Sequence, residues 1–300
     1  MSTTQLPVST NALTAELERS VEAGEMTAAY ARLVGELLDN SAHLRASDDL
    51  RLAHLVHASL RSSTTADGAP PEDIPILAAP DLEIEREGRA LALPDDRPER
   101  TAPLHELLQA RRSVPYFARR PMPIATLGSL LSLALGTREL LSAYSRRDIP
   151  SRMFPSAGGL QPIDAYVFVN RVEEMPCGVY FYNPVRHELV EHELGDFRTR
   201  LVEAAIHTDW LLYAPVVVAL VGNLRRVGWK YGSRGYRYMN VDTGVAAMNL
   251  YLAGQALGLH GNAVAAFDDD AFNALLRLDG SWELTNLLFA AGERPRTMRE

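Results

Sequence analysis

The sequence predicts an α+β fold, with helices flanking a mixed or antiparallel central sheet and a helical extension ahead of it. Three stretches predict this. Gly178–Tyr182 and Glu188–His192 are short β-prone runs joined through Asn183-Pro184, a turn signal, so they read as a hairpin. Ala214–Val221 is apolar throughout and of strand length, which suits a strand covered on both faces. Residues 241–258 place Val241, Val245, Met248, Leu252 and Ala256, with Leu259 just beyond, at steps of three and four, the period of a helix. Strands and helices in these proportions, with helices segregated from the sheet, define the class.

Taken in order, residues 11–62 read as helices. Leu13, Leu17 and Val21 recur every four residues, followed by Leu33, Leu37 and Leu38 and by Leu50, Leu52, Leu55 and Leu60, with Gly24 and Asn40-Ser41 as breaks. This defines a helical extension over 1–62. Residues 63–103 are rich in Pro, Asp and small residues and read as a linker or wrapping arm. The main domain then covers 104–300. It opens with a helix carrying Leu104, Leu107 and Leu108, and a second helix spans 124–135. A Pro/Ser/Gly loop over 151–163 feeds a strand at 164–170. After the hairpin come a helix over 196–207 and the buried strand. Beyond the helix at 241–258, which Asp242 is expected to cap or open, lie a strand over 263–267, a helix over 269–277 and a strand over 282–290. The small residues Gly244, Ala246, Ala247, Ala253 and Gly254 let neighbours approach, which places the long helix centrally or at a subunit interface.

Composition excludes several classes. A chain of 300 residues, 47% hydrophobic, can bury a sizeable core. A formal net charge of -8 argues against general nucleic-acid binding. No apolar run reaches the ~20 residues of a membrane helix, and the first ten residues lack the basic and apolar regions of a secretory signal. One cysteine, Cys177, excludes an internal disulfide and a Cys-rich zinc site, and a turn-edge thiol fits it better than a nucleophile. A cytoplasmic location is the expectation. His54 and His57 have metal-ligand spacing on a helix, but with no third ligand nearby a surface pair is the better reading and no metal is expected. GxGxxG after a strand, GxxxxGK[ST], HExxH and GxSxG are all absent.

Against this acidic background, residues 222–240 form a basic island. Arg225, Arg226, Lys230, Arg234 and Arg237 are interleaved with Trp229, Tyr231, Tyr236 and Tyr238, and no Asp or Glu occurs between Asp209 and Asp242. Like charges repel, so the cluster reads either as a solvated loop or as a pocket wall that receives an anion and sets a lysine beside a tyrosine. Three further blocks carry chemistry. Arg111-Arg112-Ser113 offers two guanidinium forks and a hydroxyl to a phosphate. Pro155-Ser156-Ala157-Gly158-Gly159 is a small-residue loop whose amides can approach a flat ring, though it also reads as a plain turn. The C-terminal Arg294 and Arg296 can add a cation to a phosphate.

In this order and spacing the four blocks, over about 104–296, resemble the nitroreductase superfamily. Within it they resemble the SagB-type branch, the flavin-dependent azoline dehydrogenases of thiazole/oxazole peptide biosynthesis. The resemblance implies an FMN-binding homodimer with its flavins at the subunit interface. Arg111, Arg112, Ser113, Arg294 and Arg296 would hold the ribityl-phosphate. Pro155, Ser156, Ala157 and Gly158 would lie against the isoalloxazine ring. Lys230 and Tyr231 match the catalytic pair of the azoline-oxidising members. Aromatising an azoline removes a hydride and a proton, and a lysine serves as the base at neutral pH only if its pKa is lowered, which burial and nearby arginines can do.

Arg225, Arg234, Tyr236 and Arg237 are then candidate contacts for a peptide, carrier-bound or small heterocyclic substrate, and the resemblance leaves room for partners in a biosynthetic complex. Gln161, Asp164 and Val245 depart from the His, Glu and His of the pattern, and Val114-Pro115-Tyr116-Phe117 replaces a further Arg. An NAD(P)H-dependent nitro- or quinone reductase, or a non-catalytic flavin-binding or scaffold subunit, would also carry most of these blocks.

Overall fold

The computed structural model describes residues 86–99, 101–144, 146–206 and 208–295, together with 56, 57 and 60. The chain divides into two compact units, Met1–Asp73 and Ile74–Glu300, and the elements below belong to the second. Most of the expected extension over 1–62, much of the arm over 63–103, and Arg296 lie outside the described residues.

Seven strands form one sheet. They are β1 (Ala90–Ala92), β4 (Ile163–Val169), β5 (Gly178–Asn183), β6 (Glu188–Leu194), β7 (Val216–Asn223), β8 (His260–Val264) and β9 (Glu283–Gly292), in the spatial order β1-β6-β5-β4-β7-β9-β8. Every pairing in it is antiparallel. The fold is therefore α+β, with the open choice of a mixed or antiparallel sheet resolved to antiparallel. β1 extends the sheet into the stretch read as a linker, because its backbone pairs with Leu189 and its neighbours on β6.

Both faces of the sheet are covered, which explains the unbroken apolar run of β7. Side chains alternate across it: Val216, Val218 and Leu220 enter one core, and Val217, Ala219 and Val221 enter the other. Each fully buried Val or Leu is worth about 1.5–3 kcal/mol. The first core is closed by α2 (Ile124–Leu135) and the long helix α5 (Arg234–Ala256). The second is closed by α3 (Arg198–Ala204) and α6 (Asp269–Leu276), whose first turn is capped by Asp268 accepting from the Ala271 amide at 2.9 Å. A short helix α1 (Leu104–Ala110) precedes Arg111.

Two local expectations are corrected. The basic island is helical: α4 (Arg225–Tyr231) ends at Gly232, whose φ of 54° lets its amide reach Gly228 O, and α5 begins only three residues on. α5 therefore starts seven residues before 241, and Asp242 sits buried in its third turn rather than capping it. The second correction is a separate hairpin, β2 (Thr137–Ala143) and β3 (Arg146–Arg152), where no strand was expected. Among the described residues no helix is long and apolar enough to cross a membrane. Cys177 is an exposed free thiol.

Candidate active site

The site forms where three pieces of chain converge: the loop before β4, the end of α4 and the tip of the β2–β3 hairpin. Gly158 adopts φ 61°, and an added Cβ there would lie 2.5 Å from Tyr231 Oη, 2.9 Å from Tyr144 Oη and 3.0 Å from Lys230 Nζ. A side chain at 158 would fill this space, so glycine is required by conformation and by room. Lys230 Nζ donates to Tyr144 Oη at 2.6 Å, and Tyr144 Oη donates to Gly158 O at 2.6 Å. The ammonium also lies 4.2 Å from the Tyr144 ring centre and 5.1 Å from that of Tyr231. Tyr144 packs edge-on against Trp229, and Tyr231 against Tyr238.

Buried charge anchors this corner. Arg226 forms a bidentate pair with Asp164 at 2.8 and 2.9 Å, and both side chains are almost wholly buried. The same guanidinium donates to Gln161 O at 3.1 Å, tying α4 to the end of the loop. Arg152, also buried, bonds Leu135 O at 2.9 Å and Ile163 O, and burial pushes its pKa down to about 10. Asp242 reaches across from α5 and accepts from the Ala157 amide at 3.1 and 3.3 Å, and burial raises its carboxyl to about 6. Ser156 Oγ accepts from the Gln161 amide at 2.9 Å, which folds the loop on itself.

The arginine block lies further along α5. Ser113 bridges to Gly261 on β8, and its hydroxyl is 2.9 Å from Tyr251 Oη. The Arg111 guanidinium lies 5.1 Å from the Tyr251 ring centre. Arg112 donates to the carbonyls of Gln109 and Arg111. His260 starts β8 beside Gly292, and burial followed by the nearby charge of Arg294 lowers its pKa. Asp242 and Tyr251 are nine residues apart on one helix, so the two clusters stand about 13 Å apart along its axis.

The structure thus brings Pro155–Gly158, Lys230 and Tyr231 together, and sets Arg111 and Ser113 against Tyr251 of α5, with Arg294 near His260 on β8. It turns Arg225 and Arg226 away from Lys230. Arg226 is neutralised by Asp164, and Arg225 turns to Asp279 at 3.8 Å and stacks on Trp282. Arg234 bonds Tyr238 Oη at 2.9 Å, Tyr236 is exposed, and Arg237 follows it one residue on along α5. The expected depression of Lys230 is also corrected: its bonds to Tyr144 and Tyr231 hold the ammonium above its usual pKa, outweighing slight burial. Tyr144 escaped the sequence reading because nothing marked 137–152 as a hairpin. Asp164 registered there only as a departure, though with Arg226 it is the pair beneath the loop.

The pattern of the nitroreductase family matches residues 108–293, and the chain belongs to that family. Its members are generally FMN-dependent oxidoreductases. A Methanocaldococcus jannaschii protein that carries the nitroreductase name is 32% identical over 178 residues, covering 58% of this chain and 84% of its own. The trifolitoxin-processing protein TfxB of Rhizobium leguminosarum bv. trifolii is 28% identical over 155 residues. That match covers 50% of this chain and 42% of TfxB, so the chain spans under half of that relative. Among solved structures, the Escherichia coli microcin synthetase McbBCD, with truncated pro-MccB17 bound, superposes with a TM-score of 0.53 at 18% identity. It covers 86% of this chain and 97% of the matched chain, a likeness of fold.

Proposed function

We propose that this chain is an FMN-dependent dehydrogenase that aromatises an azoline, or a related heterocycle, during natural-product maturation. The observation that carries the reading is the convergence of Lys230, Tyr231 and Tyr144 on Gly158, in the loop that would face the flavin ring. The names of TfxB and McbBCD, both tied to peptide maturation, support the substrate class.

The residues fit FMN at both ends. Arg111, Arg112, Ser113 and Arg294 offer cations and a hydroxyl to a phosphate, and no carboxylate pairs with these arginines among the described residues. At the other end, Pro155, Ser156 and Gly158 line a cavity of about 380 Å³ that can receive a flat ring. Bound FMN would supply an acceptor for a hydride. The chain's own part is to hold the azoline against the loop and take its proton. Lys230 is the proposed base and Tyr231 its orienting partner. Because Lys230 rests as an ammonium donating to Tyr144, it must first release a proton, and substrate entry that separates it from Tyr144 and excludes water favours this. Arg225, Arg234, Tyr236 and Arg237 remain the proposed contacts for the bound chain. Val241 and Met248, exposed on α5, suit the proposed homodimer.

Azoline-bearing peptides incubated with the FMN-loaded protein in air should lose two hydrogens by mass spectrometry. Lys230→Ala should slow that loss by about a hundred- to ten-thousand-fold, and equal loss in both proteins would sink the assigned base. The second reading, an NAD(P)H-dependent reductase, is favoured by the name of the Methanocaldococcus relative. Steady NADPH oxidation with nitroaromatics, indifferent to Lys230→Ala, would establish it instead.

A further inference from the structure

On the sheet face opposite α5 lies a cavity of about 390 Å³ that the proposed chemistry does not use. It is lined by Arg119, Arg171, Asp196, Arg198, Thr199 and Tyr213 among others. We propose that this cavity binds a phosphate-bearing anion.

The charges do not balance. Three guanidiniums face one carboxylate, and Asp196 is already taken by Arg198, whose Nε reaches its two oxygens at 2.9 and 3.1 Å. Those bonds hold the Asp196 carboxyl down at about 2, so it stays a committed anion. Arg171 has no carboxylate partner among the described residues. Its Nη2 donates to Tyr213 O at 2.8 Å and Ala118 O at 3.2 Å, and its Nε to Arg120 O at 3.4 Å. Backbone carbonyls thus fix its fork without neutralising it. Arg119 lies 5.5 Å from the Tyr213 ring centre and has no ion pair among the described residues. Arg171 loses proton affinity to burial first and then to the charges of Arg198 and Arg119, the mark of like charges gathered without a counterion.

Keeping three guanidiniums around one cavity costs free energy unless an anion offsets it. The surplus of two positive charges matches a dianion. Arg171 keeps its Nη1 donors and Arg119 its guanidinium for the oxygens of a phosphate, and Thr199 adds a hydroxyl to the wall.

The site is distinct from the proposed flavin phosphate site. Phe117, Phe197 and Leu211, which border this region, belong to the second core, whereas Tyr251 beside Arg111 packs on the first. The loop carrying Gly158 precedes β4 and Arg171 follows it, so a strand length of about 20 Å separates the arginine cavity from the proposed ring-binding loop. The inference is independent of the dehydrogenase reading.

The test is arginine labelling by phenylglyoxal on the full chain with FMN added, mapped by mass spectrometry. Inorganic phosphate, pyrophosphate and AMP are each compared with chloride at equal ionic strength. Phosphate-bearing compounds should slow labelling of Arg119 and Arg171 while leaving the exposed Arg89 unchanged. Protection by AMP at lower concentration than by phosphate assigns a nucleotide; protection by phosphate or pyrophosphate at lower concentration than by AMP assigns the free oxyanion. Arg119→Gln, which removes a surface side chain, should raise the protecting concentration at Arg171 about tenfold or more, as loss of a charge-assisted bond implies. Labelling that is equal in phosphate and chloride, or slowed equally at Arg89, overturns the proposal.

Discussion

At the scale of single residues, the site turns on one lysine and the phenol that holds it. Tyr144 raises the pKa of Lys230 by accepting its hydrogen bond, so the neutral base is scarce at neutral pH. The rate of azoline oxidation in the wild type should therefore climb with pH into the alkaline range. Tyr144→Phe removes the first cause of the raised pKa, so the rising limb of kcat/KM should move to lower pH; an unmoved limb would remove Tyr144 from this role. Gly158→Ala places a methyl among Tyr231, Tyr144 and Lys230 at a positive φ, and should cost about 1 kcal/mol or more in denaturant unfolding. Lys230, Tyr231 and the glycine loop were legible in the sequence because their types and order are distinctive. Tyr144 was not, since its partner lies 86 residues away and only the fold brings the two together.

At the scale of elements, α5 and the Arg226–Asp164 pair hold the loop in place. Asp164→Asn leaves Arg226 buried without a counter-charge and should cost about 3–5 kcal/mol. Combining it with Arg226→Leu should recover part of that loss, read as a shift in the urea midpoint. Asp242 carries a pH signature. Its folded carboxyl titrates near 6, above the ordinary value of 3.8, so the folded chain holds this proton more tightly than the unfolded one. Its contribution is fully present below about pH 4 and is lost as pH rises through 6. Asp242→Asn should flatten the stability difference between pH 4 and pH 7, and an unchanged slope would refute the assignment. Sequence periodicity found this helix but not its start. The island's polar residues carry no apolar stripe over the first two turns, where the helix is held by side-chain contacts one turn apart such as Arg234 with Tyr238. The β2–β3 hairpin was missed for a related reason: its β2 strand is mostly exposed, so no alternation of buried and exposed positions marks it.

At the scale of the molecule, one antiparallel sheet sorts the functional groups. The face covered by α5 carries the proposed flavin and proton-transfer groups, and the face covered by α3 and α6 carries the arginine cavity. The main strands were legible because β4 and β7 are buried on both faces, with apolar runs from Ala165 to Val169 and from Val216 to Val221. The central claim is that an azoline, rather than a nicotinamide, delivers electrons at this site with help from Lys230. Its most direct test is to mix the FMN-loaded protein with an azoline-bearing peptide in the absence of oxygen and follow the absorbance of oxidised flavin. The account predicts that the wild type bleaches in proportion to azole formed, and that Lys230→Ala stays oxidised over the same time. Bleaching by NADPH but not by the azoline, or bleaching by the azoline at equal rates in both proteins, would contradict it.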